Sequence, residues 1–276
     1  MAEVTAADVA KLRKATGAGM MDCKNALVES NGDFEKAIEH IRERGKAIAN
    51  KRADREAGEG VVLSKVNASG TLGAMVVLNC ETDFVAKNAD FIALAQSMLD
   101  LALEKKPANL DALKALEING RTIGDLVMVQ SGVTGEKFEL SYFDKIEAAK
   151  VVAYIHPGNK LATLVGLNIA DVETQVGRDV AMQIAAMSPV SVDKSDVSEE
   201  TRKKEFEIGR EQARLEGKPE NMLDKIAEGK LQKFYKESTL LNQDFVKDNK
   251  MTVGAYLKSV NKELTVTGFK RVSLNA

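Results

Sequence analysis

The pattern of apolar positions at the start of the chain predicts three short helices. Apolar residues recur at helical spacing in residues 5–16, 20–30 and 33–44. Thr5 and Asp8 form a variant of the capping box that begins such helices. Glycines separate the first two segments, and an Asn-Gly pair separates the second from the third. Residues 5–44 are therefore expected to form a minimal helical bundle.

The next segment, residues 42–58, is basic and polar, which predicts a linker that is partly helical. No aromatic residue interleaves with its basic residues, although stacking aromatics are what single-stranded nucleic acids usually bind. We interpret the segment as a solvated connector, and an RNA-binding arm is the alternative.

An internal repeat dominates the middle of the chain. Residues 62–79 align with residues 151–168 without a gap, and each copy has the pattern of strand, tight turn and strand. Apolar residues at helical spacing follow each copy. Two β-β-α units in tandem predict a duplicated core of the α+β class.

The pattern changes again from residue 198. Two strongly helical stretches are joined at Gly217-Lys218-Pro219, which predicts an antiparallel helical hairpin. Its surface mixes both charge signs, as a solvated arm would. Residues 264–269 predict a last strand.

Composition narrows the class of protein. The net charge is −2, so a protein built mainly to hold phosphate backbones is disfavoured. Two cysteines imply no disulfide framework and fit a reducing cytosol. The chain starts without a signal peptide and has no apolar run near the roughly 20 residues that span a bilayer. We expect a soluble, cytoplasmic protein.

Motifs for bond chemistry are missing from the sequence. There is no phosphate-binding P-loop, no dinucleotide fingerprint and no zinc spacing. The histidines are His40 and His156, and Cys23 is expected to be a small core residue. We predict no catalytic residue, no metal site and no cofactor. The alternative is an enzyme with a pocket between the two repeats.

Phe84 follows the second strand of the first repeat and a helix cap at Thr82 or Asp83. A Phe is ordinarily buried. The second copy, however, has Glu173 at the equivalent position and Val172 in place of Asp83. If both copies share one geometry, the fold requires no aromatic there. This comparison favours an exposed Phe84 directed at a partner, and a core Phe84 is the alternative.

Two stretches of the chain resemble signatures of one family. Residues 12–24, Leu-Arg-Lys-Ala-Thr-Gly-Ala-Gly-Met-Met-Asp-Cys-Lys, resemble the N-terminal signature of the elongation factor Ts family. Residues 79–88, with the core Thr-Asp-Phe-Val-Ala-Lys, resemble its second signature. Both are long, they occur in the expected order, and the resemblance covers nearly the whole chain.

The resemblance implies an N-terminal three-helix domain of the ubiquitin-associated (UBA-like) type, two related α+β subdomains and a protruding antiparallel coiled-coil hairpin. The boundaries expected from it are residues 1–54 for the UBA-like domain and linker, 55–145 for the first core subdomain, 146–192 for the second, 193–236 for the hairpin insertion and 237–276 for the return to the second subdomain.

The resemblance also implies a partner and no catalysis. Members bind elongation factor Tu, GDP-bound or nucleotide-free, and release its GDP; direct nucleotide binding, membrane binding and dedicated nucleic-acid binding are not expected. Asp83 and Phe84 would enter the GTPase domain beside its magnesium site, and His156 and Val246 would touch the far β-domain. The partner-binding residues expected are Leu12, Arg13, Met20, Met21, Thr82, Asp83, Phe84, Val85, His156 and Val246.

Two departures from the family pattern bear on these contacts. Many members continue past the last strand into a C-terminal helix that touches the GTPase, whereas this sequence ends at Ala276, so that contact is expected to be absent. Lys247 stands where some members have Met. Met20 also shares helical spacing with Cys23 and Leu27, which leaves a buried Met20 as the alternative to a docking role.

Overall fold

The chain folds into helices and strands, as the α+β class predicts. The structure is a computed structural model that describes residues 4–52 and 54–274. Its helices are α1 (Ala6–Thr16), α2 (Met20–Glu29), α3 (Phe34–Lys51), α4 (Asp83–Ala86), α5 (Ala89–Lys105), α6 (Leu110–Lys114), α7 (Ile123–Thr134), α8 (Thr174–Met187), α9 (Glu199–Leu215), α10 (Leu223–Ser238) and α11 (Val253–Val260). Its strands are β1 (Glu59–Val66), β2 (Leu72–Cys80), β3 (Glu117–Ile118), β4 (Arg121–Thr122), β5 (Glu139–Glu147), β6 (Lys150–Ile155), β7 (Leu161–Leu167), β8 (Asp244–Phe245), β9 (Asp248–Thr252) and β10 (Val266–Ser273).

The described chain divides into two units. The first contains residues 4–52, 54–63, 76–144 and 274, and the second contains residues 64–75 and 145–273. None of the helices in the described part is long and apolar enough to cross a membrane. The UBA-like identity of the N-terminal helices and the five expected domain ranges stay predictions.

The three N-terminal helices of the first unit share a core. Thr5 and Asp8 form the predicted capping box at the start of α1. Leu12, Cys23 and Leu27 are almost completely buried between the helices, so Cys23 is the small core residue that its spacing predicts.

Helix α3 extends farther than the sequence predicts, through Lys51, and takes up most of the expected linker. Its second half packs against α7, which the polar sequence does not reveal. At their crossing, a Cβ added to Gly132 would lie 2.0 Å from the Cα of Gly45. The two backbones touch, and a side chain on Gly132 would force them apart.

Strand β2 and helix α5 carry further buried side chains of the first unit. Strand β2 is the middle strand of the sheet β1-β2-β5. Phe91 at the start of α5 is 4% exposed and packs edge-to-face on Phe138, with ring centroids 4.9 Å apart. Such pairs add packing energy beyond the area that they bury.

The second unit is built on the antiparallel sheet β10-β7-β6. Helix α8 lies on this sheet, and Gly177 allows the close approach, because a Cβ there would lie 2.4 Å from Val152 Cγ2. Helices α9 and α10 form the predicted antiparallel hairpin, in which Ala213 and Ala227 are completely buried.

The predicted repeat is present in the turns as well as in the strands. The backbone N–H of Asn67 donates to Leu72 O (2.9 Å), and that of His156 donates to Leu161 O (2.8 Å). The turn residue three positions on has positive φ in both copies, 73° at Gly70 and 57° at Asn159. Gly and Asn are the residues that tolerate this backbone conformation. The hairpin prediction, with His156 in the turn, is confirmed.

Candidate protein-docking site

The connection between β2 and α5 presents an aromatic side chain to solvent. Thr82 caps the single-turn helix α4, and its Oγ1 accepts a hydrogen bond from the backbone N–H of Val85 (3.4 Å). Phe84 lies within this turn and is 83% exposed. The predicted exposure of Phe84 is confirmed, and the alternative that it belongs to the core is wrong. We call residues 81–88 the Phe84 turn.

The second copy of the repeat shows that the fold does not need an aromatic residue at this position. Glu173, the equivalent of Phe84, is exposed and is the N-cap residue of α8. Val172 before it is buried, whereas the side chain of Asp83 is 44% exposed. Phe84 is therefore an addition to the β-β-α unit and not a part of its core.

The carboxylate of Glu81 holds the base of the Phe84 turn. Its Oε1 accepts hydrogen bonds from the backbone N–H of Lys137 (2.7 Å) and from Arg52 Nη1 (3.1 Å), and its Oε2 accepts one from Arg55 Nη1 (3.0 Å). Desolvation by itself raises the pKa of Glu81, but the bonds from Lys137, Arg55 and Arg52 outweigh it and hold the pKa below its usual range. Glu81 is thus a charged, multiply bonded anchor.

A second carboxylate holds the next residue. Glu136 Oε2 accepts from the backbone N–H of Thr82 (3.0 Å), and its Oε1 accepts from Thr82 Oγ1 (2.6 Å). Burial, together with the charge of Glu136, raises the pKa of the neighbouring Cys80 thiol to about 12. Cys80 is therefore protonated at neutral pH and contributes as a packed side chain.

An ion pair closes the Phe84 turn on its solvent side. Lys87 Nζ donates to Asp83 Oδ2 at 2.6 Å, one helical turn along. This hydrogen bond raises the pKa of Lys87. The turn therefore has polar contacts at its base and across its surface, while the ring of Phe84 remains uncovered.

The expected docking residues of the N-terminal bundle fall into two groups. Met20 and Met21 begin α2 and are 60% and 66% exposed, and Arg13 is exposed as well. The alternative that Met20 is a core residue is wrong. Leu12 is completely buried, so the expectation that its side chain contacts a partner is also wrong. Leu12 faces inward because it shares the apolar stripe of α1 with Val9.

A cavity of about 530 Å³ brings two of the predicted regions together. Gly17, in the turn before α2, lines one part of it, and Val85 and Asn88 of the Phe84 turn line another. The N-terminal bundle and the Phe84 turn therefore border one concavity of the first unit, although they are more than sixty residues apart in sequence. Its lining combines apolar and polar side chains, and a concavity of this kind suits the side chains of a partner.

The remaining two expected contacts lie in the second unit. His156 is exposed in the β6–β7 turn, and its Nδ1 is 2.9 Å from the hydroxyl of Tyr154. Val246, between β8 and β9, is 49% exposed, and its backbone N–H donates to Gln183 Oε1 (2.8 Å). Both are exposed side chains on turns that are held by hydrogen bonds.

Lys247, where the sequence departs from some family members, has a partner within the second unit. Its Nζ lies 2.8 Å from Asp179 Oδ1, and the hydroxyl of Tyr256 donates to Asp179 Oδ2 (3.0 Å). Desolvation favours a higher pKa for Asp179, but the bonds from Lys247, Gln175 and Tyr256 hold it below its usual range. Lys247 thus stabilises the turn that carries Val246.

Sequence reasoning assigned no role to Glu81, Glu136 or Lys137. Glu81 lies inside the second signature, but its partners are far away in sequence, and Glu136 is 54 residues from Thr82. No local pattern marks such a pair. Within residues 4–52 and 54–274, no group of three or more His, Cys, Asp or Glu side chains could hold a metal ion.

Exposed apolar side chains on firmly bonded turns define this chain as a candidate protein-docking factor, because such side chains on a folded protein commonly mark interaction sites. The comparisons with known proteins give the family. A family model described as "Elongation factor TS" matches residues 81–276. The chain belongs to the elongation factor Ts family.

Relatives match over nearly their whole length. The chain is 58% identical over 274 residues to elongation factor Ts of Porphyromonas gingivalis, covering 99% of each chain. It is 50% identical over 275 residues to elongation factor Ts of Flavobacterium psychrophilum, covering 99% of this chain and 100% of that one. It is 48% identical to elongation factor Ts of Cytophaga hutchinsonii, covering all of both chains.

Proposed function

We propose that this chain is a guanine nucleotide exchange factor that binds elongation factor Tu carrying GDP and promotes release of the GDP. The observation that carries the proposal is the 83% exposure of Phe84 on a turn held by Glu81 and Glu136. Membership of the elongation factor Ts family supports the choice of partner.

In this mechanism Phe84 acts as a wedge. GDP on a GTPase is held by magnesium and by backbone amides around its phosphates. Phe84, with Asp83 beside it, inserts near the magnesium site and favours the conformation that holds nucleotide poorly. By linkage, the factor weakens GDP binding by the same ratio by which GDP weakens binding of the factor.

The other exposed residues supply binding energy without distorting the nucleotide site. Arg13, Met20 and Met21 dock on the GTPase domain, and Val85 borders the cavity that receives part of it. His156 and Val246 contact the far β-domain of the partner. Binding energy from such remote contacts offsets the cost of displacing the magnesium site. Thr82 supports the Phe84 turn, since its hydroxyl and its N–H both donate to the carboxylate of Glu136.

The nucleic-acid alternative loses support from the same geometry. Arg52 and Arg55, two of the cations in the basic segment, are bonded to Glu81 and are partly neutralised by it. Nucleic-acid binding depends on cationic side chains that replace the counterions condensed on the phosphates. A protein partner uses the exposed apolar residues, and an RNA does not require them.

The test is release of a fluorescent GDP analogue from purified elongation factor Tu, followed by stopped flow at increasing concentrations of the chain. We expect the release rate to rise and saturate. A complex should form in nucleotide-free buffer and dissociate when GDP and magnesium are added. Leu215→Ser is a matched control, because Leu215 is 81% exposed and lies outside the proposed contacts. Absence of both acceleration and complex would refute the proposal.

A further inference from the structure

Glu81 ties the Phe84 turn to two separate parts of the first unit. Its carboxylate contacts Arg52 and Arg55, which follow the end of α3, and the backbone of Lys137, which precedes β5. Lys137 Nζ also donates to the carbonyl of Arg55 (3.1 Å). The partners of Glu81 therefore hold one another as well as Glu81, and its side chain is only 15% exposed.

The contacts of Glu81 are also linked to the N-terminal bundle, through helices α3 and α7. Helix α3 packs on α1 and α2, whose exposed face includes Met20 and Met21, and it crosses α7 at the contact of Gly45 with Gly132. Helix α7 ends at Thr134, two residues before Glu136. Packing thus connects the N-terminal bundle to α3 and α7, and the hydrogen bonds of Glu81 connect these helices to the Phe84 turn.

The Phe84 turn has little packing of its own. Helix α4 is four residues long, and Ala86 is its buried residue. The direction of the Phe84 ring therefore depends on the contacts at residues 81 and 82. If those contacts were lost, the turn would sample other orientations. The rate of GDP release would then fall in proportion to the fraction of molecules in which Phe84 has the competent orientation.

We infer that Glu81 is a positioning residue for nucleotide exchange: its carboxylate holds the Phe84 turn in the orientation in which Phe84 acts and fixes that turn relative to the N-terminal bundle. This inference rests on the proposed function. Glu81 itself contacts neither the GTPase nor the nucleotide in this scheme. Its removal should slow the exchange step and leave initial docking through Met20, Met21 and His156 largely intact.

The first test is Glu81→Gln, which keeps the size of the side chain and one acceptor for the Lys137 N–H but removes the charge that pairs with Arg52 and Arg55. We expect the release rate of fluorescent GDP at saturating factor to fall about tenfold, as for a competent fraction of about one tenth. The concentration that gives half of the maximal rate should change by less than about twofold, because docking does not use Glu81.

A double-mutant cycle separates positioning from general loss of structure. If Glu81 acts through Phe84, then Glu81→Gln combined with Phe84→Ala should be no slower than Phe84→Ala alone. Two independent losses would multiply. Asp125→Asn is the matched control: Asp125 on α7 lies 3.7 Å from Arg42 and 3.9 Å from Lys46 of α3, so its loss removes another ionic link to α3 without touching the Phe84 turn. Its release rate should stay close to that of the wild type.

Arg55→Gln provides a second variant if Glu81→Gln unfolds, because Arg55 is 56% exposed and its loss costs little stability. We expect the same selective fall in the maximal rate, smaller than for Glu81→Gln. Full maximal rates in folded Glu81→Gln or Arg55→Gln, or multiplicative losses in the double mutant, would overturn the inference. Full activity of Phe84→Ala would instead overturn the proposed function, so the two failures are distinct.

Discussion

Replacing Phe84 by alanine is the sharpest perturbation that the structure suggests, because a matched control lies seven residues away. Phe91 is the same side chain in the same unit, but it is 4% exposed and packs on Phe138, whereas Phe84 is 83% exposed. Phe84→Ala and Phe91→Ala delete the same atoms from opposite environments. Their effects on stability and on exchange should therefore be reversed.

The expected sizes of the two stability effects are well separated. A buried Phe→Ala change typically costs about 3–5 kcal/mol, because it removes transfer free energy and leaves a cavity. A surface change usually stays within about 0.5 kcal/mol. At about 2–4 °C per kcal/mol for a protein of this size, Phe91→Ala should lower the melting temperature by about 6–20 °C and Phe84→Ala by about 2 °C or less.

The assay combines thermal melting followed by circular dichroism with fluorescent-GDP release at a temperature where both variants are folded. Phe84→Ala should melt close to wild type, bind elongation factor Tu through the other contacts and lose most of its stimulation of release. Phe91→Ala should keep most of its stimulation while folded. A melting temperature for Phe84→Ala as low as that of Phe91→Ala, or full stimulation by folded Phe84→Ala, would contradict the proposed role of Phe84.

Four further outcomes are expected. Changing Met20 and Met21 together to serine should raise the Kd for elongation factor Tu without lowering the melting temperature, because both are exposed; unchanged affinity in titration calorimetry would argue against docking through α2. Gly132→Ala should cost about 1–3 kcal/mol in urea unfolding, since its Cβ would overlap the backbone of α3, and an unchanged midpoint would contradict that crossing. His156→Ala should weaken the complex with a stability change within about 0.5 kcal/mol, and a metal-dependent loss of structure would oppose this assignment. The folded-state pKa of Glu81 lies below its ordinary value near 4.5, so the charged carboxylate stabilises the folded state above that pH. This contribution is lost as pH falls through the lower folded-state pKa. The free energy of unfolding of the wild type should therefore fall more than that of Glu81→Gln on acidification below pH 4.5, and parallel losses would disprove the linkage.

Features whose hydrogen bonds close within a few residues could be predicted from the sequence alone. The turn of the second hairpin is set by a bond from His156 to Leu161 and by the positive φ of Asn159. The helix cap at Thr82 is likewise local, because its hydroxyl accepts a hydrogen bond from the backbone N–H of Val85. The exposure of Phe84 could also be predicted, because the repeat contains its own control in Glu173, and a position that accepts a carboxylate is not a core position.

Contacts between side chains that are distant in sequence are visible in the folded chain and not in its local patterns. Glu81 bonds to Lys137 across 56 residues, and Asp179 pairs with Lys247 across 68. The course of α3 through Lys51 depends likewise on packing against α7, which meets α3 at Gly45. A charged residue has the same local pattern whether it is solvated or paired, so its partner is fixed by how the helices and strands pack and not by the neighbouring sequence.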